Sequence, residues 1–180
     1  HKPGFDELLG RVVNLPLGRY IALYTMELRL ARHKYDSKEI FKGGYFNVRE
    51  VLFNTVYTLG LEALGTMFEV TGGLSKAELF QKRSREVGKA ILEECYDSAS
   101  GLYYDIDVNT SSFINEPGIS SLMPLALSNV PLSRLESMVR HLTDTGEFWL
   151  PFPVPSVPLN SRYFEPQNQR YLWRGPTWIN

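Results

Sequence analysis

One cysteine and three histidines are all that this 180-residue sequence holds of the softer metal ligands. Cys95 alone excludes an internal disulfide framework and leaves no thiolate set for zinc. His1, His33 and His141 are too scattered to form a metal site. No metal or other cofactor is therefore expected. An excess of one charge is missing too: 19 Lys and Arg face 20 Asp and Glu, for a net charge of -1. Nothing in that balance attracts a phosphate backbone, so nucleic acid is not an expected partner. No run reaches the roughly 18 consecutive apolar residues of a membrane span, and no basic segment followed by an apolar one opens the chain. The expectations are no membrane and a cytoplasmic setting. A phosphate-binding glycine loop, a Gly-x-Ser-x-Gly elbow and a His-Glu-x-x-His pair are all absent.

What is present can build a core. Hydrophobic residues make up 43% and charged residues 22%, near the globular average. Helical periodicity dominates. Leu17, Ile21, Tyr24, Leu28 and Ala31 share one face of a helix expected over 15–34, with Asn14 as cap and Pro16 in its first turn. Leu52, Val56, Leu59, Ala63, Met67 and Val70 form the stripe of a second helix. Asn47 and Glu50 stand at capping-box spacing before it, and Gly72-Gly73 ends it. Gly60 and Gly65 each weaken this helix by about 1 kcal/mol unless close packing uses them. A third helix follows, with Ser75 and Glu78 as its capping box and Phe80, Val87 and Ile91 turned inward. Asp97 to Gly101 reads as a turn and Leu102 to Asp107 as a short extended piece. Two shorter helices are expected over 118–128 and 131–143, the second with Leu132, Leu135, Val139 and Leu142 on one side. Helices joined pairwise, with no strand series, read as all-α.

From Gly146 to Arg174 no period survives. This long loop is studded with Pro151, Pro153, Pro155, Pro158 and Pro166, and all three tryptophans (Trp149, Trp173, Trp178) fall after Thr145. Long loops in compact domains tend to be functional. Aromatic faces beside Arg170, Arg174 and the amides of Asn160, Gln167, Asn168 and Gln169 suit a sugar; the same aromatics would equally serve to cover the core. Asp105 and Asp107 lie two apart in an extended piece, so they are expected to point the same way. Glu116 and Glu165 add further carboxylates. Glycoside hydrolysis requires a pair of such acids, but spacing alone selects none, and a solvated or capping acid is the plainer reading of each. Pro155-Ser156-Val157-Pro158 matches a polyproline ligand core, Asn109-Thr110-Ser111 is a formal glycosylation sequon, and Lys82-Arg83 with Arg85 reads as a solvated helix face.

Several strings together resemble a known family. Tyr171-Leu172-Trp173-Arg174-Gly175-Pro176-Thr177-Trp178 is similar to the Tyr-Trp-Arg-Gly-Pro-x-Trp signature of glycoside hydrolase family 63 and the related mannosylglycerate and glucosylglycerate hydrolases. Leu172 interrupts the Tyr-Trp pair of that signature. The Phe46–Asn54 segment, Gly101-Leu102-Tyr103-Tyr104-Asp105-Ile106-Asp107 and Ser121-Leu122-Met123-Pro124-Leu125 resemble three further family segments, in family order. The resemblance implies an (α/α)6 toroid built of helical hairpins and an inverting α-glycosidase acting on an α-glucoside or α-mannoside, either mannosylglycerate, glucosylglycerate or an oligosaccharide. It implies that Tyr171, Trp173, Gly175 and Trp178 line the subsite for the non-reducing sugar, with Arg174 bracing the loop. Tyr104, Asp105 and Asp107 fall in the segment resembling the family's loop near that sugar. It also implies that the acid aspartate lies before His1 and the base glutamate beyond Asn180, so that no catalytic residue is named within the chain.

Twelve helices at a mean of about 11–12 residues, with connections, call for more than about 300 residues. The 180 residues then correspond to a single segment, about half of a toroid, incomplete at both ends. Carbohydrate is the expected partner, and apolar faces meant for absent helices would favour self-association. Two other readings remain: a non-catalytic carbohydrate-binding helical module, and an all-α scaffold that offers its proline-rich loop to a partner.

Overall fold

The computed structural model describes residues 17–43, 47–166 and Gly175. Within them the chain is mostly helical. Helix α1 (Leu17–Arg32) and the short α2 (Ser37–Gly43) lead, through strand β1 (Val48–Arg49), to two long helices, α3 (Val51–Val70) and α4 (Leu74–Glu94). Four two-residue strands follow: β2 (Tyr96–Asp97), β3 (Leu102–Tyr103), β4 (Ile106–Asp107) and β5 (Ser112–Phe113). A 3-10 helix (Ile119–Ala126) and helix α5 (Leu132–Thr143) come last, before the loop. The short α2 was not foreseen, although Asp36 caps it in the usual way, accepting from the amides of Lys38 and Glu39 at 2.9 and 3.2 Å. The expected caps of α1, Asn14 and Pro16, lie outside the described residues.

The α3–α4 hairpin is the centre of the structure, and its ends are made differently from the expectation. Glu50 is itself the N-cap of α3, its carboxylate accepting from the Phe53 amide, while Asp105 accepts from the Val51 amide at 2.7 Å. Asn47 contributes only its carbonyl, to the Val108 amide. Gly72, at φ +80°, closes the helix in the left-handed conformation that glycine adopts without strain. Helix α4 then starts at Leu74 behind Gly73, with no side-chain cap. The Ser75–Glu78 box does not form, because Ser75 is already inside the first turn, where the extended cap conformation is not available.

The buried side of α3 is Val51, Thr55, Thr58, Leu61 and Gly65, not the apolar stripe. Small residues win that side because the partner helix comes close. A Cβ on Gly65 would lie 2.7 Å from Gln81 Cγ, and one on Gly88 would lie 3.3 Å from Thr58 Cγ2. Ser84 also reaches across, donating to the Thr58 carbonyl at 3.0 Å. Of the stripe, Leu59 packs against the core, whereas Val56, Met67 and Val70 are 54%, 62% and 83% exposed. By length and composition alone α3 could cross a membrane, yet it packs on α4 and on the 3-10 helix. Ile21, Tyr24 and Leu28 of α1 are likewise exposed.

Two small sheets correct the all-α reading: β1-β4-β5 and β2-β3, all antiparallel. The single extended piece expected over Leu102–Asp107 is two strands in two sheets, with Tyr104 and Asp105 crossing between them. Two-residue strands are too short to display an alternation. The β2–β3 turn depends on Gly101 at φ +78°, where a Cβ would collide with Ser137 Oγ of α5 at 2.0 Å. The segment expected as a helix over 118–128 winds as a 3-10 helix, with Pro124 inside it and i→i+3 bonds at each end. On α5 the buried positions are Ser137 and Met138. Leu135 and Leu142 are half-buried, and Leu132 and Val139 face outward. The core gathers Val51, Ile91, Leu92, Leu102, Tyr103, Ile106, Leu122, Met138 and Phe148 where these short elements meet the α3–α4 pair.

Candidate functional site

Of the residues expected to meet a sugar, Tyr104, Asp105, Asp107 and Gly175 are described; Tyr171, Trp173, Arg174 and Trp178 lie outside the described residues. Tyr104 is buried, tilted against Phe113 with ring centroids 6.2 Å apart, and its amide bonds the Cys95 carbonyl at 2.8 Å. Asp105 and Asp107 engage different stretches of backbone. Asp105 holds the Val51 amide, and its own carbonyl accepts from Ile114 at 2.8 Å. Asp107 closes the β4–β5 turn, accepting from Asn109 and Thr110 at 2.8 and 3.2 Å. The shared direction expected from their spacing has no continuous strand to enforce it, because β4 begins only at Ile106. Glu116 is paired with Arg162, whose guanidinium lies 4.7 Å from the Tyr163 ring centroid.

Around Asp105 the charges crowd. Glu50, seen in the sequence only as a capping partner, stands beside it at the start of α3. Burial pushes the Glu50 carboxyl above its ordinary range, the Phe53 amide opposes this, and the charge of Asp105 pushes it further up. Burial raises Asp105 as well, against the pull of the Val51 amide. Arg49 pairs with Glu94 on the neighbouring surface. The Cys95 thiol, buried among them, is pushed up to about 11, first by burial and then by the carboxylates of Glu94 and Asp105. That removes it as a nucleophile at neutral pH. Among the described residues no cluster of three or more His, Cys, Asp or Glu could hold a metal ion.

The described part of the long loop, 146–166, is packed at several points. Phe148, Pro155 and Pro158 are buried, and Trp149 keeps an exposed ring. Glu147 anchors its start: its carboxylate meets His141 Nδ1 at 2.6 Å and takes a bond from Asn160, while its carbonyl accepts from Leu159. His141 Nε2 faces the Ser100 carbonyl at 2.9 Å, so one ring ties α5 to both the β2–β3 turn and the loop. The sequence shows no pattern that links these residues. At the far end Gly175 is buried at φ +133°, its amide donating to Ser156 Oγ at 2.9 Å and its Cα facing the Phe164 ring. A larger groove of about 750 Å³ lies elsewhere, between α3, α4 and the turn before α5, lined by Glu62, Gln81, Arg85, Lys89 and Arg134 among others. It contains none of the residues expected to bind sugar, and its size does not make it the site.

Residues 8–180 match the family model of the mannosylglycerate hydrolase MGH1-like glycoside hydrolase domain. The chain belongs to this glycoside hydrolase family. The family assignment agrees with two kinds of relative. A probable mannosyl-oligosaccharide glucosidase of Schizosaccharomyces pombe is 33% identical over 89 residues, 48% of this chain and 10% of that protein. The family 63 mannosylglycerate hydrolase of Thermus thermophilus, solved in complex with glucose, is 25% identical, with a TM-score of 0.75 over 91% of this chain and 40% of that one. The same enzyme with Tris and D-glycerate gives 26% identity and a TM-score of 0.65 over 84% of this chain and 35% of that one. This member of the MGH1-like family thus spans less than half the length of the relatives it matches.

Proposed function

We propose that this chain carries the sugar-binding part of an inverting α-glycosidase, and that in the whole protein it forms about half of an (α/α)6 toroid. The substrate class is an α-glucoside or α-mannoside, either a mannosyl- or glucosylglycerate or an oligosaccharide. The family match over residues 8–180 is the observation that carries the reading. The glucose and D-glycerate held by the Thermus structures support the substrate class.

In this reading Tyr171, Trp173, Gly175 and Trp178 line the subsite for the non-reducing sugar, with Arg174 bracing the segment. Tyr104, Asp105 and Asp107 are the further substrate-binding residues, in the loop near that sugar. One oxygen of Asp105 and one of Asp107 are held by backbone amides, and one oxygen of Glu116 by Arg162. In this reading the acid and the water-activating base, about 6.5–9.5 Å apart in an inverting enzyme, lie elsewhere in the whole protein, as the family resemblance implies.

Replacing Trp178 with Ala in the complete gene product is expected to lower kcat/KM for α-glucosides or mannosylglycerate at least tenfold, the cost of about 1.4 kcal/mol of lost transition-state contact. Near-normal turnover would remove Trp178 from the subsite. Hydrolysis by the purified 180-residue chain alone would show that the acid and base lie within it, with Asp105, Asp107 and Glu116 as the residues to replace.

A further inference from the structure

We infer that Ser156 is a positioning residue for the sugar subsite: its hydroxyl and its carbonyl tie Gly175, within the Trp-Arg-Gly-Pro-Thr-Trp segment, to the start of the 3-10 helix. The inference rests on the glycosidase reading, because that reading gives the segment its sugar-facing role. The clamp itself rests on geometry.

Gly175 is the centre of the segment and has no latitude. Its φ of +133° is a conformation that residues with a side chain rarely adopt, and a Cβ there would meet the Phe164 ring at 3.1 Å and the Glu165 carbonyl carbon at 3.3 Å. Its amide is buried and donates to Ser156 Oγ at 2.9 Å. The other side of Ser156 faces the opposite way. Its carbonyl accepts from the Ile119 amide at 3.0 Å, and a Cβ on Gly118 would lie 3.2 Å from the same oxygen. One residue thus bonds two segments far apart in the sequence, at Ile119 and at Gly175.

Ser156 is itself held. Pro155 and Pro158 on either side are fully buried, and their rings limit the local backbone. Leu159 bonds the Glu147 carbonyl at 2.9 Å, which anchors the outgoing arm of the loop. The 3-10 helix packs in turn on β3 and α3. Ser156 therefore transmits the position of the core to Gly175, two residues after Trp173 and three before Trp178. Polar groups at a buried turn are usually satisfied by backbone; here a side-chain hydroxyl accepts the bond, and threonine offers the same group.

The test uses Ser156→Ala and Ser156→Thr in the whole gene product, read by amide hydrogen exchange and by steady-state kinetics. Alanine keeps the carbonyl and loses the hydroxyl. The Gly175 amide should lose protection while the Ile119 amide keeps it, and threonine should restore Gly175. KM for the α-glycoside should rise about two- to tenfold in the alanine variant, the range that one neutral hydrogen bond spans, with a smaller change in kcat and recovery in the threonine variant. If the alanine variant does not fold, Ser156→Cys, which keeps the volume and offers only a weak acceptor, should give the same pair of changes. A Gly175 amide that stays protected overturns the clamp. An amide that opens with no change in KM overturns the positioning role. Absence of α-glycoside turnover by the unsubstituted protein would instead overturn the glycosidase reading and the sugar role with it, while the exchange result still decides the clamp.

Discussion

Asp105 sits between two opposing demands. Its carboxylate accepts from the Val51 amide at the buried start of α3, yet burial works against a charge there, and that charge in turn raises the neighbouring Glu50. Replacement by Asn keeps an acceptor for Val51 and removes the charge, so stability at neutral pH should be preserved or slightly raised. Replacement by Ala leaves the amide unpaired and should cost about 1–2 kcal/mol. The pH dependence has a definite sign. Both carboxyls have folded-state values above their unfolded ones, so the folded state holds more protons across that interval. Stability should fall as pH rises from the ordinary carboxylate range through the raised folded values, and then level off. Urea midpoints of the wild type and of Asp105→Asn between about pH 4 and 8, a range that starts near an unperturbed carboxyl, check this: the Asn variant should show the shallower slope. Capping was legible in the residue types here, since Glu50 stands at a helix start in the sequence. The part played by Asp105 was not, because the bond spans 54 positions.

At the scale of the elements, the two glycines of α3 separate what a helix alone prefers from what its neighbour demands. Gly60 is exposed and has nothing within 4 Å of an added Cβ. Gly60→Ala should therefore stabilise by about 0.5–1 kcal/mol through helix propensity. Gly65 faces Gln81 Cγ at 2.7 Å and the Ala77 carbonyl at 3.4 Å, so Gly65→Ala forces α3 and α4 apart and should cost about 1–3 kcal/mol. Thermal melts of the two variants should move in opposite directions; equal shifts would mean that α4 does not press on Gly65. The sequence contains both glycines in one helix pattern and cannot tell them apart. The same limit explains the misplaced face of α3. Periodicity located an apolar stripe, but the contact with α4 is made by Thr58 and Gly65, whose small size lets the backbones approach and which no hydrophobicity pattern selects.

For the whole molecule, the unpartnered apolar residues matter most. Phe53, Val56, Met67 and Val70 on α3, and Ile21, Tyr24 and Leu28 on α1, leave large side chains in solvent, the kind of apolar surface that favours association. The 180-residue chain made alone should associate. Light scattering coupled to size exclusion should show species larger than 20.6 kDa, and charged replacements of Met67 and Val70 together should shift the population toward the monomer. A single monomeric peak for the unsubstituted chain would show that these faces are tolerated as they stand.

The amino-acid sequence alone determined the family, the long helices and the turn glycines, because each of these is written in residues close together along the chain: a Trp-Arg-Gly-Pro-x-Trp string, a 3.6-residue period, a glycine after a helix. Only the tertiary structure decided which face of α3 is buried, that Leu102–Asp107 is divided between two sheets, and that Asp105, Asp107 and Glu116 are occupied by amides and by Arg162. Close approach and hydrogen bonding between distant segments are properties of the packed chain. A side chain's chemistry is set by its type, but whether that chemistry is free to act depends on which partners the fold brings to it.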